Sequence, residues 1–479
     1  MFGAVKPFFI YNTLSRSVEE LEPLNPPVVT LYSCGPTVYL PQHLGNLRAY
    51  LCWDFLRRSL ELNGYQVRHV INVTDVGHMT SDEDEGEDKV EKTARAEGKS
   101  PIEVANHYLA MFQRDLAALN VEPPLVWCRA TEHIAEMIAL IERILASGMA
   151  YVAKSGVYFD VEKYRGASKI GRLSRQSLDE QHAGQRLDHS PDKKSPHDFA
   201  LWVLNQPHHL MQWDSPWGRG YPGWHIECSA MSMKYLGETI DIHTGGMDHI
   251  PIHHENEIAQ SESATGRPFV RCFVHNAFLV GKGGDKISKS AGKFPLLSDL
   301  ASSKIDPLAF RIFCFGAKYR SELALAEEGL RAAQSNLDYL REFARNVPPE
   351  VGAGIDDSPF ALEYRDRFIE ALCNDLNTPQ ALAAALELVA QAYRRGDRRI
   401  WNTLMMFDRV LGLGLDKTRK AADEASFPPD IQQLIDERAA ARIARNFKRA
   451  DELRAILEAR GYEVKDAKGG AATYRLRDP

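Results

Sequence analysis

From Val28 to Val73 the chain runs strand, glycine turn, helix, strand, and no other stretch so narrows what it can fold into. Val28–Ser33 is a short β-branched and aromatic run that ends at Cys34, Gly35 and Pro36. A helical pattern follows over about 47–63, Gly64 stands where a helix C-cap is expected, and residues 67–73 (VRHVINV) read as the next strand. Two strands joined by a crossing helix imply a parallel sheet, and such sheets gather their ligands at the strand ends.

The pattern then breaks and resumes. Strand-like pieces at 157–161 and 199–203 sit among turns rich in Gly, Ser, Asp and His, so residues from about 120 to 220 read as an insertion between two halves of the sheet. After Gly223 the spacing predicts a helix over 224–235, a strand over 239–243, a helix over 253–263 and a strand over 273–280 before the loop bearing Gly281, Gly283 and Gly284. From about Ser321 the pattern is helical, with linkers at 346–359 and 416–429. The 479 residues, 44% of them hydrophobic, suffice for roughly two to four domains.

Composition removes several classes of protein. No stretch is apolar enough to cross a bilayer and residues 1–17 lack a basic start followed by an apolar run, which points to a cytoplasmic protein with no membrane partner. The seven cysteines are scattered and odd in number, so a disulfide framework is not expected. A formal net charge of −7 argues against nucleic acid on average, yet Arg438, Arg442, Arg445, Lys448 and Arg449 form a run with no acidic residue between them. Asp82, Glu83, Asp84, Glu85, Glu87 and Asp88 form an opposite run, which reads as a solvated mobile loop.

Two short segments carry chemistry together. His43-Leu44-Gly45-Asn46 lies at the first strand-to-helix turn, where free N–H groups and the positive end of the helix dipole can meet a phosphate. Lys286-Ile287-Ser288-Lys289-Ser290, in a glycine-rich loop after a strand, can bring two ammonium groups to a triphosphate. A third feature is metal-like: His253 and Glu257 are i, i+4 on one helix face, and Cys34 and Cys228 could complete a set of two thiolates, an imidazole and a carboxylate.

The first two segments resemble the HIGH and KMSKS signatures of class I aminoacyl-tRNA synthetases. Tyr32-Ser-Cys-Gly-Pro-Thr-Val-Tyr39, Gly223-Trp-His-Ile-Glu-Cys-Ser-Ala-Met231, Asp241-Ile-His243 and His253-His-Glu-Asn-Glu257 narrow the resemblance to the cysteinyl-tRNA synthetases, from about Leu31 to the C-terminus. It implies a Rossmann-like parallel-sheet catalytic domain in two halves, 1–119 and 223–280, around a connective insertion at 120–222. A lysine-loop and stem-contact region (281–345), a helical anticodon-binding bundle (346–427) and a small anticodon-recognition module (428–479) would follow.

The family's zinc ligands carry over to Cys34, Cys228, His253 and Glu257. Its catalytic residues fall on His43, Asn46, Lys286 and Lys289, and its ATP contacts on Gly35, Thr37, His43, Gly45, Asn46 and Lys289. Thr74, Trp224, His243 and Asp248 match residues that line the cysteine pocket, and Phe447, Asp451 and Asp466 match readers of the anticodon. The implied reaction joins L-cysteine to ATP and then to tRNA(Cys), with one Zn²⁺ per chain, Mg²⁺ on the ATP, and a monomeric enzyme. Zinc suits the task because serine is nearly isosteric with cysteine, and an apolar pocket separates such side chains poorly. A soft metal prefers and ionises the thiol.

Ile287 stands where the family usually has Met, and the segment after Asp75 is longer than the common pattern, with Lys89 able to take the place of its lysine. The nearest rival is the cysteine-activating amino-sugar ligase of mycothiol synthesis, which lacks an anticodon-binding region.

Overall fold

The computed structural model describes all residues except 1–5, 77–87, 167–170, 177–191, 282–294, 349–350, 353–356, 425–427, 445, 467–471 and 477–479. The chain divides into two compact units, residues 1–343 with 350–414, and residues 344–349 with 415–479.

The first unit opens with an antiparallel ribbon, β1 (Phe9–Asn12) and β2 (Ser17–Glu20), and then enters its central sheet. Strand β3 (Val28–Ser33) leads through the turn at Cys34 into helix α1 (Leu44–Leu62), which returns to β4 (Gln66–Val73) alongside β3. Helix α1 contains no Gly beyond its first turn and no Pro. It starts at a capping box, with the Asn46 N–H donating to His43 Nδ1 and the His43 N–H donating to Asn46 Oδ1. Leu44, Leu47, Leu51, Phe55 and Leu56 fill its buried side, and truncating one such leucine would cost about 2–5 kcal/mol.

Strand β5 (Val126–Arg129) pairs parallel with β4, and β10 (Ile240–Gly246) and β11 (Val270–Asn276) complete the sheet on the other side of β3. The order is β11-β10-β3-β4-β5. All five strands are parallel, and the middle ones are buried on both faces, as parallel sheets require. Between β5 and β10 the chain builds an antiparallel sheet of β6 (Ala150–Val152), β7 (Gly156–Phe159), β8 (Phe199–Leu204) and β9 (Gly220–Pro222). Helices α2 (Trp224–Leu236) and α3 (His253–Thr265) flank β10 in sequence, and Ile226, Met231 and Ile258 from them share a core with Tyr32, Val70, Ile240 and Phe273 of the sheet.

Three expectations need correction. The segment at 126–129 was expected in the insertion, but it is the edge strand of the parallel sheet. The single strand expected over 273–280 is two: β11 ends at Asn276, and β12 (Leu279–Val280) pairs instead with β13 (Leu323–Ala324). Ala277 supplies the break by donating its N–H to Tyr319 O. The polar linker expected over 416–429 contains a helix, α4 (Leu415–Glu424).

The second unit adds helices α5 (Pro429–Ile443) and α6 (Phe447–Ala459) and a hairpin of β14 (Tyr462–Asp466) and β15 (Ala472–Leu476), so its end is not wholly helical. Its small core holds Ile431, Ile435, Leu457, Tyr462 and Val464. No helix among the described residues is long and apolar enough to cross a membrane.

Candidate active site

The C-terminal ends of β3, β4 and β10 border a cavity of ≈ 820 Å³. It is lined by Cys34, Gly35, Thr37, His43, Gly45, Asn46, Thr74, Trp224, Cys228, Asp248 and His253, so residues from four separate segments of the sequence meet in one place. The backbone explains the glycine at 35: a Cβ there would lie 1.5 Å from Asn72 O, while the Gly35 N–H donates to Asn72 Oδ1 at 2.6 Å. Gly246 leaves room for a carboxylate, since its Cβ would lie 2.3 Å from Asp248 Oδ1.

One wall is a buried donor cluster. Cys34 follows β3, Cys228 lies on α2, and His253 and Glu257 share a face of α3; the ligand atoms of all four lie within 4.8 Å of one another. None of the four is more than 4% exposed. His253 Nε2 stands 3.1 Å from Glu257 Oε1, while its Nδ1 is 2.8 Å from His225 Nδ1, so the ring is oriented from behind as metal-bound imidazoles are. Burial alone would lower the His253 imidazole, but the Glu257 charge and the Cys228 and Glu257 hydrogen bonds outweigh it and raise the group to about 10. Glu257 is held well below the carboxylate range by His243 and His253, against its burial. Of the two thiols, Cys228 is drawn down by its hydrogen bond with Cys34, and Cys34 is pushed up by burial and by Cys228. Such opposed groups, buried together, are what a bound cation would reconcile.

A second donor set, Cys34, His243, His254 and Glu257, overlaps the first. Only Cys34 of that set borders the cavity, whereas Cys34, Cys228 and His253 of the first set all do. A metal that must also take a substrate atom needs an open side, and two sulfurs favour zinc, so the first set fits better.

Not every expected residue lines the cavity. His243, expected in the amino-acid pocket, is fully buried behind the cluster with Nε2 2.8 Å from Glu257 Oε2, so it holds the Glu257 carboxylate and does not line the cavity. Thr74 does face it, its hydroxyl donating to Glu227 Oε2 and accepting from Asn72 Nδ2, each at 3.1 Å. The Trp224 ring stands 4.6 Å from that of His253. Lys286 and Lys289 lie outside the described residues, as do Asp82 to Glu87. Asp88, read as part of the solvated acidic run, is buried: its carboxylate caps the helix Lys89–Glu97 by accepting from the Val90 and Glu91 N–H groups, and Lys89 borders the cavity.

In the second unit Phe447, 60% exposed, and Asp451 are i, i+4 on α6 and share one face. Asp466 is in β14, with its side chain outside the described residues. The basic run is thinner than it reads. Arg438 is fully buried, Arg445 lies outside the described residues, and Arg449 is 3.3 Å from both Glu437 and Glu452.

Sequence reasoning missed His225, His254 and Arg48. The histidines lie inside the segments Gly223–Met231 and His253–Glu257 but had no role read for them, and Arg48 falls within the apolar spacing of Leu44, Leu47 and Leu51, the signal that a charged side chain is buried there.

Comparison with known proteins agrees with this geometry. Residues 20–335 match the family model for tRNA synthetases class I (C) catalytic domain, 367–416 the DALR domain, and 424–475 the cysteinyl-tRNA ligase anticodon binding domain. The chain is 45% identical to cysteine–tRNA ligase 1 of Burkholderia lata, over 98% of this chain and 97% of that one. It is 42% identical to the cysteine–tRNA ligase of Treponema denticola, over 98% and 99%. Among solved structures, Mycobacterium tuberculosis methionyl-tRNA synthetase in complex with methionyl-adenylate shares the fold at a TM-score of 0.58 and 17% identity, covering 83% of this chain and 92% of that one.

Proposed function

Because the chain belongs to the cysteine–tRNA ligase family of class I aminoacyl-tRNA synthetases, we propose that it charges tRNA(Cys) through a zinc-selected cysteine bound in the cavity at the sheet's strand ends. Its activity is that of an aminoacyl-tRNA synthetase specific for cysteine. The observation that carries the detailed reading is that three members of the donor cluster, Cys34, Cys228 and His253, open into the same cavity as His43, Gly45 and Asn46.

A zinc ion held by Cys34, Cys228, His253 and Glu257 would supply a soft Lewis acid that accepts the substrate sulfur as thiolate and leaves serine's hydroxyl behind. Asp248, on the cavity wall beside Gly246, pairs with the substrate ammonium, and Thr74 and Trp224 close the pocket around the small side chain. His43 Nδ1 accepts the Asn46 N–H, which leaves the neutral ring's proton on Nε2 as a donor for ATP phosphate. Gly35, Thr37, Gly45 and Asn46 complete the nucleotide side. Lys286 and Lys289 would meet the charge that develops on the phosphates, and Mg²⁺ would arrive with the ATP.

In the first step a cysteine carboxylate oxygen bonds to the α-phosphorus and the bond to the β-phosphate oxygen breaks, releasing pyrophosphate. The carboxylate is already ionised, so no general base is needed, and the site works by positioning. In the second step a hydroxyl of the tRNA's terminal ribose takes the cysteinyl group and AMP leaves. Residues 1–119 and 223–280, together with the edge strand β5, serve as the catalytic halves, the chain from β6 to β9 as the connective insertion, 281–345 as the lysine loop and stem contact, 346–427 as the anticodon-binding bundle, and 428–479 as the recognition module. Phe447, Asp451 and Asp466 are assigned to the anticodon, the enzyme to a cytoplasmic monomer. The match of residues 424–475 to an anticodon binding domain favours this over the amino-sugar ligase.

Cysteine-dependent ATP–pyrophosphate exchange, followed by cysteinylation of tRNA(Cys), tests the reading. Exchange with cysteine and none with serine is expected; equal exchange with both would overturn the metal's role in selection.

A further inference from the structure

Arg48 is fully buried on α1, and its hydrogen-bond partners among the described residues are all backbone carbonyls. Its Nη1 donates to Ala277 O at 2.8 Å and to Phe278 O, and its Nη2 donates to Ser321 O at 2.6 Å, with a longer contact of 3.4 Å to Lys318 O. Among the described residues no carboxylate pairs with it. A buried guanidinium without a counter-charge costs several kcal/mol unless its hydrogen bonds compensate, so an apolar side chain would serve better if filling space were the whole task.

Two of the carbonyls it takes already have another donor. Ala277 O also accepts from Asn276 Nδ2 at 3.2 Å, and Phe278 O from the Leu323 N–H at 3.0 Å. What the guanidinium adds is a tie between two pieces of the chain. On one side is α1, whose first turn carries His43, Gly45 and Asn46. On the other are Ala277, Phe278 and Leu279, which border the same cavity next to those residues. The far side of this wall is stitched to Tyr319 and to β13 through the Ala277 N–H and the β12–β13 pairing.

We infer that Arg48 is a positioning residue for ATP: it fixes the Ala277–Leu279 wall against the start of α1 and so sets the width of the nucleotide side of the cavity. The inference rests on the proposed function. The amino-acid side is built from β3, β10, α2 and α3, none of which supplies a partner to Arg48. Its loss should therefore separate ATP use from cysteine binding.

The test is ATP–pyrophosphate exchange by the full-length enzyme and its Arg48→Lys and Arg48→Ala variants, with ATP and cysteine varied separately and zinc content and thermal unfolding recorded. A lysine ammonium donates from one point and cannot span Ala277, Phe278 and Ser321 together. kcat/KM for ATP should fall about 10- to 100-fold, the scale of an ångström-level misplacement. The KM for cysteine and the zinc content should hold, and added guanidinium should restore part of the Arg48→Ala loss. Wild-type ATP kinetics per folded molecule in either variant, whatever the melting temperature, would overturn the inference, as would a joint loss of ATP use, cysteine affinity and zinc. If Arg48→Ala does not fold, Arg48→Lys decides. A wild-type enzyme with no cysteine-dependent exchange would instead sink the proposed function.

Discussion

The donor cluster of the first unit and the α6 face of the second differ in how their residues meet water. Cys34, Cys228, His253 and Glu257 are buried, and each is constrained by a neighbour with its own geometry. Phe447, Lys448, Arg449 and Asp451 are exposed, with at most solvent-facing partners. A buried polar group cannot be released without leaving its partner unsatisfied, so single substitutions there should act strongly. An exposed residue that binds a large ligand shares the work with many others, so single substitutions there should act weakly and through affinity. The two regions should thus fail in different ways.

The largest effect expected is at the cluster. Cys228→Ser should lose zinc and reduce cysteine-dependent exchange by more than about 100-fold, since even outer partners of a metal ligand command 10- to 100-fold. Metal analysis beside the exchange assay checks this; full zinc occupancy in the variant would remove Cys228 from the ligand set.

Next is the ionic hub that holds α1 in place. Asp54 is 1% exposed at its side chain, with Arg311 Nη2 at 2.6 Å and Arg58 Nε at 2.8 Å, and its second oxygen accepts the Glu122 N–H. Asp54→Ala leaves the fully buried Arg311 guanidinium without its ion-pair partner, while Arg58 keeps Glu122 at 3.0 Å, and should cost about 3–5 kcal/mol by denaturant unfolding. Burial alone would raise the Asp54 carboxyl, but Arg311 and Arg58 hold it below its ordinary value. A depressed carboxyl stabilises the fold above the unfolded-state value, so this contribution is present at neutral pH and is lost as pH falls through the acid range. A variant whose stability deficit stays constant down to pH 3 would show that the charge is not what matters.

The third contrast is between the units themselves. Truncation after Phe427 should leave cysteine-dependent exchange nearly intact, because every cavity residue lies in the first unit. Charging at subsaturating tRNA should fall on the order of 100-fold, as expected when one of two linked contact regions is removed. Equal losses in both assays would mean that the second unit supports the catalytic fold and not tRNA use.

What the sequence disclosed follows the same division. The βαβ opening and the buried cluster of candidate donors were legible because periodicity and the required residue types coincide there, and because the His253–Glu257 spacing is local to one helix. Strand β5 was hidden because four residues, VWCR, carry too little period to be read. The break between β11 and β12 was hidden because it depends on Tyr319 and Arg48, both distant in the chain. His243 matched a motif but faces Glu257 and not the cavity, since a strand position fixes which side a residue takes only once the neighbouring helices are placed. The run from Arg438 to Arg449 misled in the opposite sense: counting charges gave five cations, but a helix turns one of them, Arg438, into its core.

Within the exposed face, Phe447→Ala should weaken tRNA use by about 1–3 kcal/mol if the ring stacks on an unpaired base. The loss should appear in the KM for tRNA, with exchange unchanged. An unaltered KM would dismiss the stacking role and leave the ring as an ordinary exposed apolar group.

The smallest effects separate two neighbouring cations. Arg449 is already placed between Glu437 and Glu452 at 3.3 Å, while Lys448 is exposed beside it. Exposed pairs of this kind contribute about 0–1 kcal/mol to stability, so neither Lys448→Ala nor Arg449→Ala should shift unfolding measurably. Their effect on tRNA should differ. A phosphate must compete with two carboxylates for Arg449, whereas Lys448 has no ion pair among the described residues, so Lys448→Ala should lower the salt dependence of tRNA binding by roughly one phosphate's share and Arg449→Ala by less. Measuring affinity across a series of salt concentrations reads the two slopes directly. A steeper loss for Arg449 would show that the glutamates orient its guanidinium toward tRNA instead of occupying it.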